Sequence, residues 1–113
     1  MLLIGTVTPF TRTSVELEES RMTIYEMLGE DGEVLFIGIG NIKYNLRQHL
    51  PGGWFPLMGA KYYRTFKNLD SENLETLRNN LIKDHVDIIG RPPRFNQPLS
   101  VSKGLLEDYD PFL

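Results

Sequence analysis

The sequence contains no cysteine, and it has only two histidines and one tryptophan in 113 residues. Without cysteine, disulfide bonds and zinc sites built on thiolate ligands are excluded, and the composition is compatible with a reducing compartment. Its apolar runs are far shorter than a membrane span, and the opening MLLIG lacks the basic leader of a signal peptide. We therefore expect a cytoplasmic protein without a membrane partner.

The charged residues are unevenly distributed along the chain. Residues 1–33 contain seven acidic and two basic residues, residues 34–104 contain five acidic and ten basic ones, and residues 105–113 contain three acidic ones. The basic middle could form a surface that binds DNA or another polyanion. The alternative is a surface of mixed sign on which the charges form salt bridges. The candidate binding residues are Lys43, Arg47, Arg64 and Asn96.

Short runs rich in apolar, β-branched and aromatic residues predict strands. The predicted strands lie at residues 22–28, 33–39 and 61–66, and residues 2–7 could add an edge strand. Asp31 and Gly32 tolerate positive φ angles, so they predict a hairpin between the first two runs. Gly38 and Gly40 are expected to end the second strand. The residues expected in the core are Met22, Met27, Leu28, Val34 and Ile37.

Two helices are predicted to follow strands. The first covers about residues 42–50, with Asn41 as its N-cap. The second covers about residues 71–86, with Asp70 or Ser71 as its cap. Apolar side chains at three- and four-residue spacing predict one buried face on the second helix. That face carries Leu74, Leu77, Leu81 and His85.

The element order β-β-α-β-α predicts a single α+β domain. We expect a small three-stranded antiparallel sheet flanked by helices, with the N-terminal edge strand as an optional addition. The domain core is placed at about residues 22–98, preceded by an N-terminal extension (1–21) and followed by an acidic C-terminal tail (99–113). Prolines make the segment 90–98 irregular.

Several segments together resemble one family of nucleases. They are TIY (23–25), FIG (36–38), NIKYNLRQH (41–49), RNNLIK (78–83) and PPRFN (92–96). In order and spacing, these segments resemble the GIY-YIG nuclease superfamily, and RNNLIK is similar to a stretch in the N-terminal domain of its excision-repair nucleases. The similarity covers about residues 23–96, with an insertion around DIIGR.

The resemblance implies a specific hydrolytic chemistry. Members of this superfamily cleave phosphodiester bonds with one divalent metal, which a single glutamate on the second main helix holds. A tyrosine of the first tripeptide helps to activate water, and an arginine on the first helix stabilises the phosphate charge. A carboxylate is the hard oxygen ligand that Mg²⁺ prefers, and a guanidinium offers phosphate a permanently charged planar fork. A complete site would therefore be a Mg²⁺- or Mn²⁺-dependent DNA endonuclease.

Three positions keep the residue that the resemblance implies. Tyr25 stands at the first tyrosine, His49 at the histidine that often follows on the first helix, and Asn96 at the closing asparagine. Each also has a purely structural interpretation. Tyr25 could be a half-buried strand aromatic, His49 could interact with the carbonyls at the helix end, and Asn96 could close a turn.

Three other positions are altered in ways that remove the implied chemistry. Phe36 replaces the second tyrosine and lacks its hydroxyl, and Asn45 replaces the arginine. Arg78 replaces the metal-binding glutamate, and its positive charge would repel Mg²⁺. We therefore expect no bound cofactor, and Mg²⁺ or Mn²⁺ only if hydrolysis survives by another arrangement.

Neighbouring residues could restore the chemistry only in combination. Glu75 lies one helical turn before Arg78 and is the candidate metal ligand of a rearranged site. Lys43 or Arg64 could supply the missing cation. Arg47 is two residues beyond the arginine position, which is roughly 200° around a helix, so it should point away. Loss of cleavage is the expectation that we adopt.

The loop at residues 52–59 is a second candidate for function. Trp54, Phe55, Leu57 and Met58 form an apolar cluster in a segment rich in proline and glycine. The cluster either folds back over the sheet and completes the core or forms an exposed surface for a protein partner or for self-association. Two functions remain open: a catalytically inactive module for nucleic-acid binding or protein assembly, and a metal-dependent endonuclease with a rearranged site.

Overall fold

In the computed structural model, which describes residues 5–66 and 73–96, one antiparallel sheet carries helices on its faces. In chain order, the elements of these residues are β1 (Thr6–Pro9), α1 (Arg12–Leu17), β2 (Met22–Leu28), β3 (Val34–Asn41), α2 (Ile42–His49), β4 (Tyr62–Thr65), α3 (Leu74–Ile89) and a 3₁₀ turn (Arg94–Asn96). The four strands are ordered β1-β4-β2-β3. The predicted α+β class is confirmed. The sheet has four strands, and its N-terminal edge strand β1 overlaps the residues 2–7 proposed for such a strand only at Thr6 and Val7 and continues to Pro9.

The predicted hairpin is formed by β2 and β3. Gly32 has a φ angle of 88°, and the Asp31 side chain accepts a hydrogen bond from the Glu33 amide at 3.0 Å. The expectation that Gly38 and Gly40 end the second strand is wrong, because β3 continues through both to Asn41. The backbone N–H and C=O groups of a glycine can still form hydrogen bonds with the neighbouring strand. The two glycines therefore lack side chains but leave the strand pairing intact.

Helix α2 begins and ends as the sequence predicts. The Asn41 side chain caps it by accepting a hydrogen bond from the Tyr44 amide at 3.0 Å. The backbone turns extended at Leu50, and the loop then folds back onto the helix end. The amides of Phe55 and Leu57 donate to the carbonyls of the last two helical residues at 2.9 and 3.1 Å. These bonds satisfy carbonyls that a helix end otherwise leaves free.

The helix α1 was not predicted from the sequence. It spans six residues and is capped by Thr11, whose hydroxyl oxygen accepts from the Ser14 amide at 3.1 Å. Helix α3 begins at Leu74 and ends at Ile89, and Gly90 caps it with a φ angle of 98°. The caps predicted at Asp70 and Ser71 lie outside the described residues.

Side chains that alternate along the strands build one core on each face of the sheet. Tyr25, Met27 and Phe36 pack with α1 and α2 on one face, and Ile24 and Ile37 pack with α3 on the other. On α3, Leu74 is buried, Leu77 and Leu81 are half-buried against the second core, and His85 is half-buried.

The prediction that Met22 belongs to the core is wrong, because Met22 is 60% exposed. It is the first residue of β2, beyond the point where the pairing with β4 begins at Tyr25, so β3 is its strand neighbour on one side only. Met27, Leu28 and Ile37 are buried as predicted, and Val34 is partly buried. Within residues 5–66 and 73–96, no helix is long and apolar enough to cross a membrane.

Candidate functional site

The Tyr25 ring lies across Gly38 on the neighbouring strand β3. The two residues are direct partners in the sheet, and a Cβ atom at Gly38 would lie 2.3 Å from the Tyr25 Cζ and 2.5 Å from its hydroxyl oxygen. Because β3 is the outer strand, the missing side chain at residue 38 lets the phenol reach the edge of the sheet. Tyr25 is only 1% exposed, so it is more buried than the half-buried strand aromatic of the structural interpretation.

The Tyr25 hydroxyl belongs to a chain of hydrogen bonds whose direction the geometry fixes. His49 Nδ1 lies 2.9 Å from the Phe55 carbonyl oxygen, which can only accept, so Nδ1 carries the proton. Nε2 is then an acceptor, and the Tyr25 hydroxyl donates to it at 2.8 Å. The Asn45 amide nitrogen donates to the Tyr25 oxygen at 3.3 Å and to the Ile39 carbonyl at 3.2 Å.

Burial keeps both titratable groups of this chain neutral at physiological pH. Burial lowers the pKa of His49 to about 4, although the hydrogen bond to the Phe55 carbonyl acts in the opposite direction. Burial also raises the pKa of the Tyr25 hydroxyl, against the smaller effects of the Asn45 amide and the Arg78 charge. Tyr25 is therefore a protonated donor to a neutral imidazole, which is an unfavourable starting point for a tyrosine that must accept a proton from water.

Arg78 lies on the face of α3 that packs against the sheet. Leu74 and Ile82, four residues to either side on the helix, both contact the second core. Arg78 is 7% exposed, and among the described residues its Nε has no hydrogen-bond partner. Its charge acts on the Tyr25 hydroxyl and lowers the pKa of that group. Glu75, the candidate substitute ligand, is exposed to solvent.

Asn96 joins the C-terminal end of the described chain to the outer edge of β3. Its side-chain oxygen accepts from the Ile37 amide at 2.7 Å, and its side-chain nitrogen donates to the Ile37 carbonyl at 3.0 Å. The carboxamide thus takes the place of a neighbouring strand at this residue. The alternative that Asn96 only closes a turn misses this role, since its partner is 59 residues away in the sequence.

Two of the candidate basic binding residues are engaged in ion pairs. Arg47 donates to both carboxylate oxygens of Glu16 at 3.1 and 3.0 Å. Arg64 forms an ion pair with the nearly buried Glu26 at 2.7 Å. Lys43 is half-buried on α2. The acidic N-terminal third therefore neutralises part of the basic middle, in agreement with the mixed-sign alternative.

The loop at residues 52–59 divides into an inner and an outer half. Phe55 packs edge-on against Phe36 with ring centroids 5.8 Å apart, and Leu57 is buried. Trp54 and Met58 are 87% and 75% exposed. Phe55 and Leu57 thus complete the core, as the first alternative proposed, whereas Trp54 and Met58 are exposed, as the second alternative requires.

Two contributors to the site were not foreseen from the sequence. The Phe55 carbonyl fixes the tautomer of His49, and Gly38 makes room for the Tyr25 ring. The role of Gly38 could have been inferred from the sequence, because Gly38 lies on the same face of the predicted hairpin as Tyr25. Nothing in the sequence indicated the role of the Phe55 carbonyl.

Among the described residues, no group of three or more histidine or acidic side chains is placed to hold a metal ion. A comparison with protein-family models finds no match to this chain, and neither does a comparison with curated proteins.

Proposed function

We propose that this chain is a GIY-YIG-type domain that does not hydrolyse phosphodiester bonds and that serves as a binding or assembly module. The observation that carries the proposal is the buried guanidinium of Arg78 at the position where the resemblance implies a metal-binding carboxylate. The element order and the contact between Tyr25 and His49 are compatible with the same family assignment.

The side chains around Tyr25 do not fit a divalent metal. A Mg²⁺ ion needs anionic oxygen ligands. The residue at the implied ligand position is Arg78, whose charge is positive. Glu75 is exposed, so it would have to leave solvent and approach Arg78 to act as a ligand. Tyr25 is closed off from water at 1% exposure, which leaves no place for a nucleophilic water at its hydroxyl.

For the binding partner, the surface favours a protein over a nucleic acid. Arg47 and Arg64 are already paired with carboxylates, which reduces the number of cations that could release counterions from a polyanion. Trp54 and Met58 are exposed on a loop that Phe55 anchors in the core. Exposed aromatic residues on a well-supported backbone are typical of protein contacts.

The alternative is a metal-dependent endonuclease with a rearranged site. The hydrogen bond from Tyr25 to a neutral His49 is the one feature in its favour, because transfer of the phenolic proton to Nε2 would leave a phenolate that could act as the base. Burial of both groups opposes that transfer. This function requires that Glu75 bind the metal and that Arg78 move out of the way.

Cleavage assays decide between the two functions. The protein would be incubated with Mg²⁺ or Mn²⁺ and single-stranded, duplex and branched DNA, alongside Tyr25→Phe and Glu75→Ala. Tyr44→Phe is the matched control, because Tyr44 is an exposed tyrosine on α2. We expect no cleavage above background by any of the proteins. Cleavage that persists in Tyr44→Phe and disappears in the other two variants contradicts the proposal.

The choice of partner is tested by binding measurements. Fluorescence anisotropy with labelled DNA between 50 and 200 mM salt would reveal a polyanion surface, since several phosphate contacts make affinity fall by orders of magnitude over roughly that range. We expect no such salt-dependent binding. Self-association through the loop would appear in sedimentation experiments as a concentration-dependent species that Trp54→Ser removes.

A further inference from the structure

Arg78 is the residue of the candidate site whose hydrogen-bonding capacity the described chain does not satisfy. Within residues 5–66 and 73–96, its Nε is the only buried side-chain nitrogen or oxygen without a hydrogen-bond partner. The ion pairs of this part of the chain involve Arg47, Arg64 and Arg94, and not Arg78. The side chain is 7% exposed, so water does not replace the missing partner over most of its surface.

A guanidinium in this position cannot escape the cost of burial by losing its charge. Arginine remains protonated in proteins, whereas a buried lysine or histidine can become neutral. Leu74 and Ile82 flank Arg78 on the same face of α3 and pack against Ile24 and Ile37. Buried ions are normally paired, because removing an ion from water without a counterion is strongly unfavourable. The site therefore calls for an anion.

The neighbouring polar groups cannot serve as that anion. Tyr25 is neutral and donates its proton to His49. The Asn45 amide nitrogen is used by the Tyr25 oxygen and the Ile39 carbonyl. Neither Tyr25 nor Asn45 therefore supplies a negative charge, and among the described residues no acidic side chain pairs with the guanidinium.

We propose that Arg78 binds the oxyanion of a phosphate group directly, without a metal ion. A phosphate carries up to about two negative charges and several acceptor oxygens, and the planar guanidinium can donate two parallel hydrogen bonds to it. The inference rests on the proposed function, because in a hydrolytic site a divalent metal ion would have to bind beside residue 78, where the phosphate is proposed to bind. Charge reversal at residue 78 then changes the preferred ligand of the site from a metal ion to the anion itself.

Anion titrations of the full chain test this proposal. Thermal unfolding and isothermal calorimetry would be followed with inorganic phosphate at constant ionic strength, chloride being the balancing ion. Binding to the folded state alone raises Tm, by roughly 10 °C at a hundredfold excess over Kd. We expect this rise in the wild type and in Arg91→Gln, which removes an exposed arginine, and its loss in Arg78→Gln. The general stabilising effect of phosphate as a salt is common to all three proteins.

A second arm distinguishes free phosphate from the phosphate of a nucleic acid. A short oligonucleotide with a 5′-phosphate would be compared with the same oligonucleotide bearing a 5′-hydroxyl. Binding that depends on Arg78 in either arm supports the proposal, and the arm in which it occurs identifies the source. Equal binding by Arg78→Gln and the wild type, or no saturable binding in either arm, overturns it.

The wild type alone decides the question if Arg78→Gln fails to fold. In that case the Arg78 Nε–H resonance, connected to its backbone by side-chain correlations, would be followed during the phosphate titration. A saturable shift of this resonance that exceeds the shift of Arg91 supports the site, and an unchanged resonance contradicts it. The cleavage assays are independent of this outcome: absent phosphate binding leaves the non-hydrolytic function standing, whereas cleavage overturns that function even if phosphate binds.

Discussion

Because the Tyr25 ring crosses over Gly38, a side chain at residue 38 should lower the free energy of unfolding by a predictable amount. In Gly38→Ala, the new methyl group would lie 2.3 Å from Tyr25 Cζ, 2.5 Å from its hydroxyl oxygen and 2.7 Å from Phe36 Cε2. Both rings are buried, at 1% and 0% exposure, so neither can move into solvent. Overpacking of this kind costs about 1–3 kcal/mol, and three contacts this short place the expected loss at the upper end, about 3 kcal/mol.

A double-mutant cycle shows whether the Tyr25 ring causes that loss. Tyr25→Leu removes the Cζ and hydroxyl atoms that the methyl group meets, but it leaves the Phe36 contact in place. We expect Gly38→Ala to cost less by about 1–2 kcal/mol in the Tyr25→Leu background than in the wild type, which is a typical coupling between contacting residues. The remaining cost would come from Phe36.

Urea unfolding at equilibrium provides the measurement, and Gly29→Ala provides the control. At Gly29 a methyl group would have its nearest neighbour at 3.4 Å, so we expect a change within about 0.5 kcal/mol. The m-values should agree among all variants, since unfolding exposes nearly the same surface. A Gly38→Ala variant as stable as Gly29→Ala, or a cycle without coupling, would refute the placement of Tyr25 across β3.

Three further predictions concern the hydrogen bonds around Tyr25 and β3. Because burial lowers the pKa of His49 from its ordinary 6.5 to about 4, the unfolded state binds the proton more readily; stability should therefore fall by up to about 3 kcal/mol as pH drops from about 6.5 to about 4. Urea unfolding should show this fall to be smaller in His49→Gln, and parallel profiles would contradict the burial of a neutral histidine. Tyr25→Phe leaves the His49 acceptor without its donor and should cost about 1–3 kcal/mol by the same measurement, whereas the exposed Tyr44→Phe should change stability by less than about 0.5 kcal/mol. Asn96→Ala removes both bonds to the Ile37 backbone and should accelerate hydrogen exchange of that amide by about tenfold; unchanged exchange would show that Asn96 does not protect the edge of β3.

The elements predictable from the sequence are those whose determinants are local. The hairpin follows from Asp31-Gly32 between two apolar runs, and the start of α2 follows from the Asn41 cap. Helix α1 has six residues and a single buried side chain, Val15, so its sequence contains no apolar periodicity to detect. Its stability depends on contacts with the rest of the domain rather than on its own turns.

The burial of individual residues was harder to foresee, because it depends on which elements end where. Met22 has the character of a core residue, but the pairing of β2 with β4 begins only at Tyr25. The reach of Tyr25 depends on its cross-strand partner being Gly38, which is a matter of register. The sequence pattern assigned Tyr25, His49 and Asn45 to one place through the family resemblance, and the structure brings these side chains together through hydrogen bonds.

The hydrogen bonds also show which of the residues that match the family pattern are explained by a structural role. Tyr25, His49 and Asn96 each have partners that explain their presence: the phenol and the imidazole satisfy one another in the core, and the carboxamide protects the edge of β3. Their occurrence at the family positions therefore does not argue for catalysis, because stability alone accounts for them. Arg78 differs, since the described chain leaves its buried Nε without an acceptor, and its neighbours Leu74 and Ile82 on the same face of α3 are apolar. Burial of an unpaired guanidinium costs free energy of folding, so a contribution to stability does not explain Arg78. For this reason the search for a ligand should begin at Arg78.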